Sequence, residues 1–238
     1  MNAQRQKKVA IITGASRGIG SALAAAYRKL DFAVVATSRT IEPEDDAGVL
    51  TVQGDIVDPG TADRVVHAAI ERFGRVDTLV NNAGIFIAKP FTAYTDDDFA
   101  QYVGVNLAGF FHLTRGAVPY LLEHKDGHIV NVTTSLVDHA NSNVPSALTS
   151  LTKGGLQSVT KSLAIEYAGR GLRVNAVSLG AIKTPMHAPE AYEILAGLHP
   201  IGRMGKMSEI VDAVLYLEHA AFVTGEILHV DGGQSAGH

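Results

Sequence analysis

Two rhythms of apolar residues alternate along the chain. Short β-rich apolar runs predict strands at Val9–Thr13, Ala33–Ser38, Val49–Gln53, Thr78–Asn81, His128–Val132, Arg173–Ser178 and Ile227–Val230. Between them the spacing turns helical. Ile19, Leu23, Ala26 and Leu30 share one face of a helix over Gly18–Leu30, and Val65, Val66, Ala69, Ile70 and Phe73 share one face over Thr61–Phe73. A long helix ends near Leu122, another covers Ala147–Tyr167, and Ser208 is the expected N-cap of one ending near Leu217. Thr95 with Asp98 three residues on has the form of a capping box. The acidic run Asp96–Asp98 therefore reads as a first helical turn complementing the macrodipole. It does not read as a metal site, because three adjacent helical residues do not converge on one ion; no metal ligands are expected.

Strands alternating with helices over short links predict an α/β fold: a Rossmann-like, doubly wound parallel sheet with helices on both faces. At 238 residues the chain reads as a single nucleotide-binding domain, 1–238, without repeats, linkers or low-complexity tracts. Glu42–Asp46 reads as a charged surface loop. Ligands of such sheets sit beyond the carboxyl ends of the strands, where strand order reverses.

Composition narrows the classes. Hydrophobic residues make up 46% and aromatics only 6%, so the core is built from Ala, Val, Ile and Leu, as helix-on-sheet packing prefers. A net charge of −4 gives no electrostatic case for nucleic acid or an anionic membrane. With no cysteine, disulfides, thiolate metal sites and Cys nucleophiles are all excluded. Met1–Lys8 is polar and basic with no signal-like apolar stretch after it, and no run approaches the ~20 apolar residues of a membrane span. The expectation is a cytoplasmic protein.

The first strand-to-helix turn reads Thr13-Gly14-Ala15-Ser16-Arg17-Gly18-Ile19-Gly20. With 24 glycines in the chain, three at fixed spacing are expected by chance about 0.2 times, so the pattern gains its weight from its place. There glycines let backbone N–H groups approach a pyrophosphate, and the helix N-terminus favours the anion. The competing reading is a tight turn that simply needs glycine.

This spacing differs from Gly-x-Gly-x-x-Gly but resembles the short-chain dehydrogenase/reductase family, and the resemblance covers nearly the whole chain. Asn81-Asn82-Ala83-Gly84 resembles the family turn that stabilises the central strands beside the cofactor. Asp55, followed by Ile56, resembles the acidic residue at the adenine, Asn106 the helix asparagine of the catalytic group, and Lys153 the family lysine. Gly180-Ala181-Ile182-Lys183-Thr184 resembles the loop clasping the nicotinamide end. Phe222–Gly225 and Val230–Gly233 resemble the family's C-terminal stretch. The resemblance implies a nicotinamide cofactor held by Gly14, Ser16, Arg17, Gly18, Ile19, Gly20, Ser38, Arg39, Asp55, Ile56, Asn82, Ala83, Gly84, Lys153, Gly180, Ile182 and Thr184.

NAD-specific dinucleotide folds place an acid after the second strand, on the ribose 2′-OH. Here Ser38 stands there, followed by Arg39, with Arg17 in the glycine loop. Two guanidinium groups and no carboxylate suit a 2′-phosphate, so NADP(H) is expected in preference to NAD(H), against the plainer reading of two solvated arginines.

The pattern breaks at the chemistry. The family's general acid/base is a tyrosine one helical turn before the lysine; here Thr149 precedes Lys153 by four residues. No tyrosine occurs between Tyr120 and Tyr167, so no small shift of alignment restores one. An aliphatic hydroxyl is shorter and far less acidic than a phenol. The family's substrate-orienting serine falls on Thr134, with Ser135 the next candidate, and Leu179 replaces the proline usual before Gly180. His139, in the loop after that strand, is one alternative proton donor, and Lys153 through a water is another. Tyr94 and Tyr102 lie on or before another helix, and sequence alone supplies no geometry that recruits them.

Three readings follow. The first is an oxidoreductase interconverting a ketone and a secondary alcohol, with Asn106, Thr134 or Ser135, Thr149 and Lys153 as a modified site. The second is a catalytically weak or inactive cofactor-binding subunit, resting on Thr149. The third is an enzyme of another class that uses the same pocket. The segment between Thr184 and Ser208, with Met186, Ile194, Leu195, Leu198 and Ile201, is expected to cover a small or medium apolar substrate. From the family, a homo-oligomer, tetramer or dimer, is expected.

Overall fold

The computed structural model describes residues 6–237, so of the basic stretch Met1–Lys8 the first five residues lie outside the described residues. Seven strands form one sheet: β1 (Val9–Thr13), β2 (Ala33–Ser38), β3 (Val49–Gln53), β4 (Thr78–Asn81), β5 (Gly127–Thr134), β6 (Leu172–Leu179) and β7 (Ile227–Val230). Their order is β3-β2-β1-β4-β5-β6-β7, and every neighbouring pair is parallel. Strand order reverses between β1 and β4, the expected place for a ligand.

Period-2 alternation divides β1 between two cores. Ala10 and Ile12 pack in one layer with Leu23 and Tyr27 of α1 (Gly18–Lys29) and Ile210, Val214 and Leu217 of α7 (Met207–His219). Val9 and Ile11 pack in the other with Val65 and Ala69 of α2 (Pro59–Phe73), Leu113 and Leu121 of α4 (Gly109–Leu121) and Ala164 of α5 (Ala147–Tyr167). With both faces covered, the central strands are mostly apolar, which is why they read as apolar runs.

Local chemistry moves several boundaries from their expected places. β5 and β6 are longer than expected because they pair along their whole length, from Gly127 opposite Leu172 to Thr134 opposite Leu179. α2 begins at Pro59 rather than Thr61: Asp58 caps it, its carboxylate accepting the Gly60 N–H at 3.0 Å, and proline at the first position is already set for the helix. Ser208 is not the N-cap of α7. Lys206 stands there, and Glu209 reaches back to accept its N–H at 2.7 Å, leaving Ser208 inside the first turn. Asp46, in the presumed charged loop, receives two hydrogen bonds of 2.9 Å from the Arg28 guanidinium and latches the loop to α1.

The capping box forms as expected: Thr95 Oγ1 accepts the Asp98 N–H at 3.1 Å and Asp98 Oδ2 accepts the Thr95 N–H at 2.7 Å. The long helix it opens is interrupted, however. α3 (Asp96–Tyr102) passes through a wide π-helical turn, Val103–Ala108, into α4. Such turns shift helical register and are frequent at functional sites.

Candidate active site

A cleft of about 520 Å³ opens at the carboxyl ends of β1, β2, β4, β5 and β6. Its floor is the glycine loop. Gly14 has φ +64°, and a Cβ there would lie 2.9 Å from Asn82 Nδ2; a Cβ on Gly20 would lie 2.3 Å from the Gly14 carbonyl oxygen. Thr13 ties this loop to the Asn82-Ala83 turn: its Oγ1 accepts the N–H groups of Asn82 at 3.0 Å and Ala83 at 2.8 Å, while Asn82 Nδ2 donates to the Thr13 carbonyl at 2.8 Å. α1 starts behind the loop with no side-chain cap and no acid in its first turn, so its end is left for an anion.

Ser16, Arg17, Gly18 and Ile19 line the cleft on this side, and Ser38, Arg39, Asp55 and Ile56 line it farther out. Arg17 and Arg39 are exposed. Asp55 Oδ1 accepts the Val57 N–H at 3.1 Å. Thr37, which sequence reasoning missed, also lines the cleft, and among the described residues its buried Oγ1 has no hydrogen-bond partner. The cradle of close glycine contacts, the uncapped helix end, the two arginines and this orphaned hydroxyl fit the phosphates of a dinucleotide.

On the other side stand Asn82, Ala83, Gly84, Thr134, Thr149, Lys153, Gly180, Ile182 and Thr184. Lys153 is buried and its Nζ donates to the Val132 carbonyl at 2.8 Å; burial pulls its pKa down to about 8. Gly20, Asn106 and Ser135 do not reach the cleft surface. Gly20 lies beneath the loop. Asn106, in the wide turn, accepts the Ile85 N–H at 2.9 Å and donates to Thr152 Oγ1 at 3.1 Å, pinning the chain just past Gly84. Ser135 is fully buried, its Oγ 3.0 Å from Gln234 Oε1 and 3.1 Å from the Leu179 carbonyl. Of the two hydroxyl candidates, only Thr134 faces the cleft. His139 does not line it.

The loop after β6 is set by His199, another residue the sequence did not single out. Its Nε2 accepts the Ala181 N–H at 2.9 Å, and a Cβ on Gly180 would lie 2.5 Å from that nitrogen. Met186, Leu195 and Leu198 line the cleft as expected, whereas Ile194 and Ile201 point outward, 74% and 58% exposed. No helix among the described residues is long and apolar enough to cross a membrane.

A family model described as enoyl-(acyl carrier protein) reductase matches residues 14–235. The chain is 34% identical to 3-oxoacyl-(acyl-carrier-protein) reductase FabG of Thermotoga maritima, over 95% of this chain and 97% of the relative. It is also 34% identical to 3beta-hydroxysteroid dehydrogenase 1 of Eggerthella lenta, over 96% and 94%. Among solved structures, ElxO with NADP bound superposes with a TM-score of 0.90 at 28% identity, covering 97% of this chain and 100% of that one. The 3-ketoacyl-(acyl-carrier-protein) reductase of Brucella melitensis complexed with NADH gives a TM-score of 0.85 at 34% identity, over 96% and 98%. With motifs, strand order and relatives in agreement along nearly its whole length, the chain belongs to the short-chain dehydrogenase/reductase family, a family of oxidoreductases.

Proposed function

We propose that the protein interconverts a ketone and a secondary alcohol with NADP(H) as hydride carrier, using an atypical proton donor. The observation that carries this reading is that one cleft joins the dinucleotide cradle to Lys153, Thr134 and Thr149. When bound, the nicotinamide supplies or accepts the hydride. Gly14, Ser16, Gly18 and Ile19 receive the pyrophosphate at the start of α1, with Gly20 beneath them. Arg17, Ser38 and Arg39, with Thr37, take the 2′-phosphate, since a guanidinium binds phosphate bidentately and no carboxylate stands at the end of β2. Asp55 and Ile56 border the adenine. Asn82, Ala83, Gly84, Gly180, Ile182 and Thr184 hold the nicotinamide half, and Lys153 holds its ribose.

Substrate enters over Met186, Leu195 and Leu198, and its oxygen meets Thr134 and Thr149. Thr149 stands where the family's tyrosine is expected, so the proton comes through a group other than a phenol at that position. FabG and the hydroxysteroid dehydrogenase among the relatives support a carbonyl substrate. Phe111 on α4 and Leu151 and Ile165 on α5 are exposed, and burying them supports a homo-oligomer formed through these helices; sedimentation velocity tests it.

NADPH oxidation on a panel of 3-oxoacyl esters, ketosteroids and simple ketones tests the activity, beside dissociation constants for NADPH and NADH. Turnover with tighter NADPH binding is the expected result. NADPH binding with no turnover of any ketone rejects the oxidoreductase reading, and tighter NADH binding rejects the cofactor preference.

A further inference from the structure

We infer that Tyr102 and Thr149 form a two-hydroxyl unit in which the buried Tyr102 phenol orients Thr149 to give its proton to the substrate oxygen. The inference rests on the oxidoreductase reading above and names the residues behind its proton donor. Thr149 Oγ1 lies 2.8 Å from Tyr102 Oη. Thr149 lines the cleft; Tyr102 is fully buried and does not. Thr149 is thus the catalytic residue of the pair, and Tyr102 a positioning residue behind it.

The surrounding hydrogen bonds narrow the direction of the contact. The Ile87 N–H donates to Tyr102 Oη at 2.6 Å. The Ile87 carbonyl accepts from Tyr94 Oη at 2.7 Å and is also an acceptor for the Tyr102 hydroxyl at 3.1 Å. The single phenolic proton of Tyr102 thus has two acceptors in reach, Thr149 Oγ1 at 2.8 Å and the Ile87 carbonyl at 3.1 Å, and we assign it to the nearer. With that oxygen accepting from behind, the threonine's own proton turns toward the cleft. The backbone supports this arrangement: Tyr102 is the last residue of α3 before the wide turn, and it grips Ile87 as Asn106, within that turn, grips Ile85.

In the reducing direction the substrate's carbonyl carbon gains a hydride, supplied by the reduced nicotinamide cofactor, and the π pair moves to oxygen. That oxygen takes the Thr149 proton as Thr149 Oγ1 takes the Tyr102 proton. The resulting phenolate keeps the Ile87 N–H as donor and regains its proton through Thr149 from water in the cleft after the alcohol leaves. An aliphatic hydroxyl alone is too weak an acid for this; backed by a phenol it need only pass a proton on.

The test compares the wild type with Thr149→Val, Thr149→Ser, Tyr102→Phe and the Tyr102→Phe/Thr149→Val double variant. The probe is ethyl acetoacetate with NADPH, and the folding control is NADPH affinity by fluorescence. Thr149→Val is expected to lower kcat about 100-fold or more, and Thr149→Ser to recover most of the loss. Tyr102→Phe is expected to lower kcat about 10-fold or more at unchanged NADPH affinity, and the double variant to lose no more than Thr149→Val alone. Rates in mixed H2O and D2O should bow as for two protons in flight in the wild type and run straight in Tyr102→Phe. This wild-type curve stands even if a variant fails to fold. Independently of turnover, the dissociation constant of ethyl acetoacetate in its unreactive complex with NADP+ should rise about fivefold in Thr149→Val and Tyr102→Phe alike. Unchanged kcat, a one-proton curve in the wild type, or unchanged ketone binding in Tyr102→Phe overturns the pair while leaving the oxidoreductase reading standing. NADPH binding without reduction of any ketone overturns both.

Discussion

The side chains of Asn81 and Asn131 meet in the middle of the sheet, the Nδ2 of Asn81 donating to the Oδ1 of Asn131 over 2.9 Å. Asn81 also donates to Thr114 Oγ1 of α4 at 3.0 Å, and Asn131 to Thr160 Oγ1 of α5 at 2.9 Å. A buried polar ladder thus runs α4–β4–β5–α5 directly beneath the Asn82–Gly84 turn. Every member is satisfied by the next, so removing one strands its neighbours in a dry interior.

Asn131→Val is therefore expected to lower unfolding free energy by about 1–3 kcal/mol, the cost of leaving Asn81 without one of its two acceptors and Thr160 without its donor. Because the damage lies in the orphaned partners, Asn81→Val combined with Asn131→Val should cost less than the two single losses added together. Urea denaturation of the three variants measures this, and strict additivity would mean that the ladder does not act as a unit.

Thr13→Val tests the joint between the glycine loop and the Asn82 turn. Valine matches threonine in shape but removes the oxygen that accepts the Asn82 and Ala83 N–H groups. The turn should loosen against Gly14, weakening NADPH binding about tenfold or more and lowering stability by about 1–3 kcal/mol. Fluorescence titration and urea denaturation read the two effects; unchanged NADPH affinity would show that the turn holds its shape without Thr13.

What the sequence disclosed was chemistry tied to local spacing. The glycine loop, the Thr95–Asp98 box and the Lys153 helix are each specified within a few residues, and strands buried on both faces announce themselves as apolar runs. What it hid was register and long-range pairing. The choice between Thr134 and Ser135 depends on how β5 leaves the sheet, which Gln234 at the far end of the chain helps to fix through Ser135. The wide turn after Tyr102 carries no residue signature, and it helps set where Tyr102 lies relative to Thr149, 47 residues away. α7 starts ahead of Ser208 because Glu209, not Ser208, satisfies the free N–H at its end.

Arg39→Asp puts a carboxylate where the cleft now presents a guanidinium. A carboxylate accepts from a ribose hydroxyl but repels a 2′-phosphate. NADPH is expected to bind about tenfold or more weakly to this variant, and NADH at least as tightly as to the wild type. Titrations of both nucleotides decide it: equal weakening of NADPH and NADH would place Arg39 against a part the two cofactors share.

Lys153 gives a prediction in pH. Burial is the cause of its lowered pKa, about 8 against an ordinary value of 10.5, because the amine meets the Val132 carbonyl and, among the described residues, no acid. Below about pH 8 both folded and unfolded chains carry the proton, and the fold bears a constant penalty for the buried charge. Between about 8 and 10.5 the unfolded chain still binds the proton while the folded chain has released it. Where the unfolded state binds more protons, stability rises with pH. On passing up through this window the wild type should therefore gain on Lys153→Met by on the order of 3 kcal/mol, since each pKa unit is worth about 1.4 kcal/mol. Urea denaturation of both proteins from pH 7.5 to 10.5 measures the difference, in which the other lysines and tyrosines cancel. NADPH should narrow the window: ribose hydroxyls that accept from the amine stabilise its charged form, so the folded-state pKa climbs back toward its ordinary value and the gain shrinks. A flat difference without nucleotide would mean that the buried amine keeps its charge through this range, and would remove desolvation as the force acting on it.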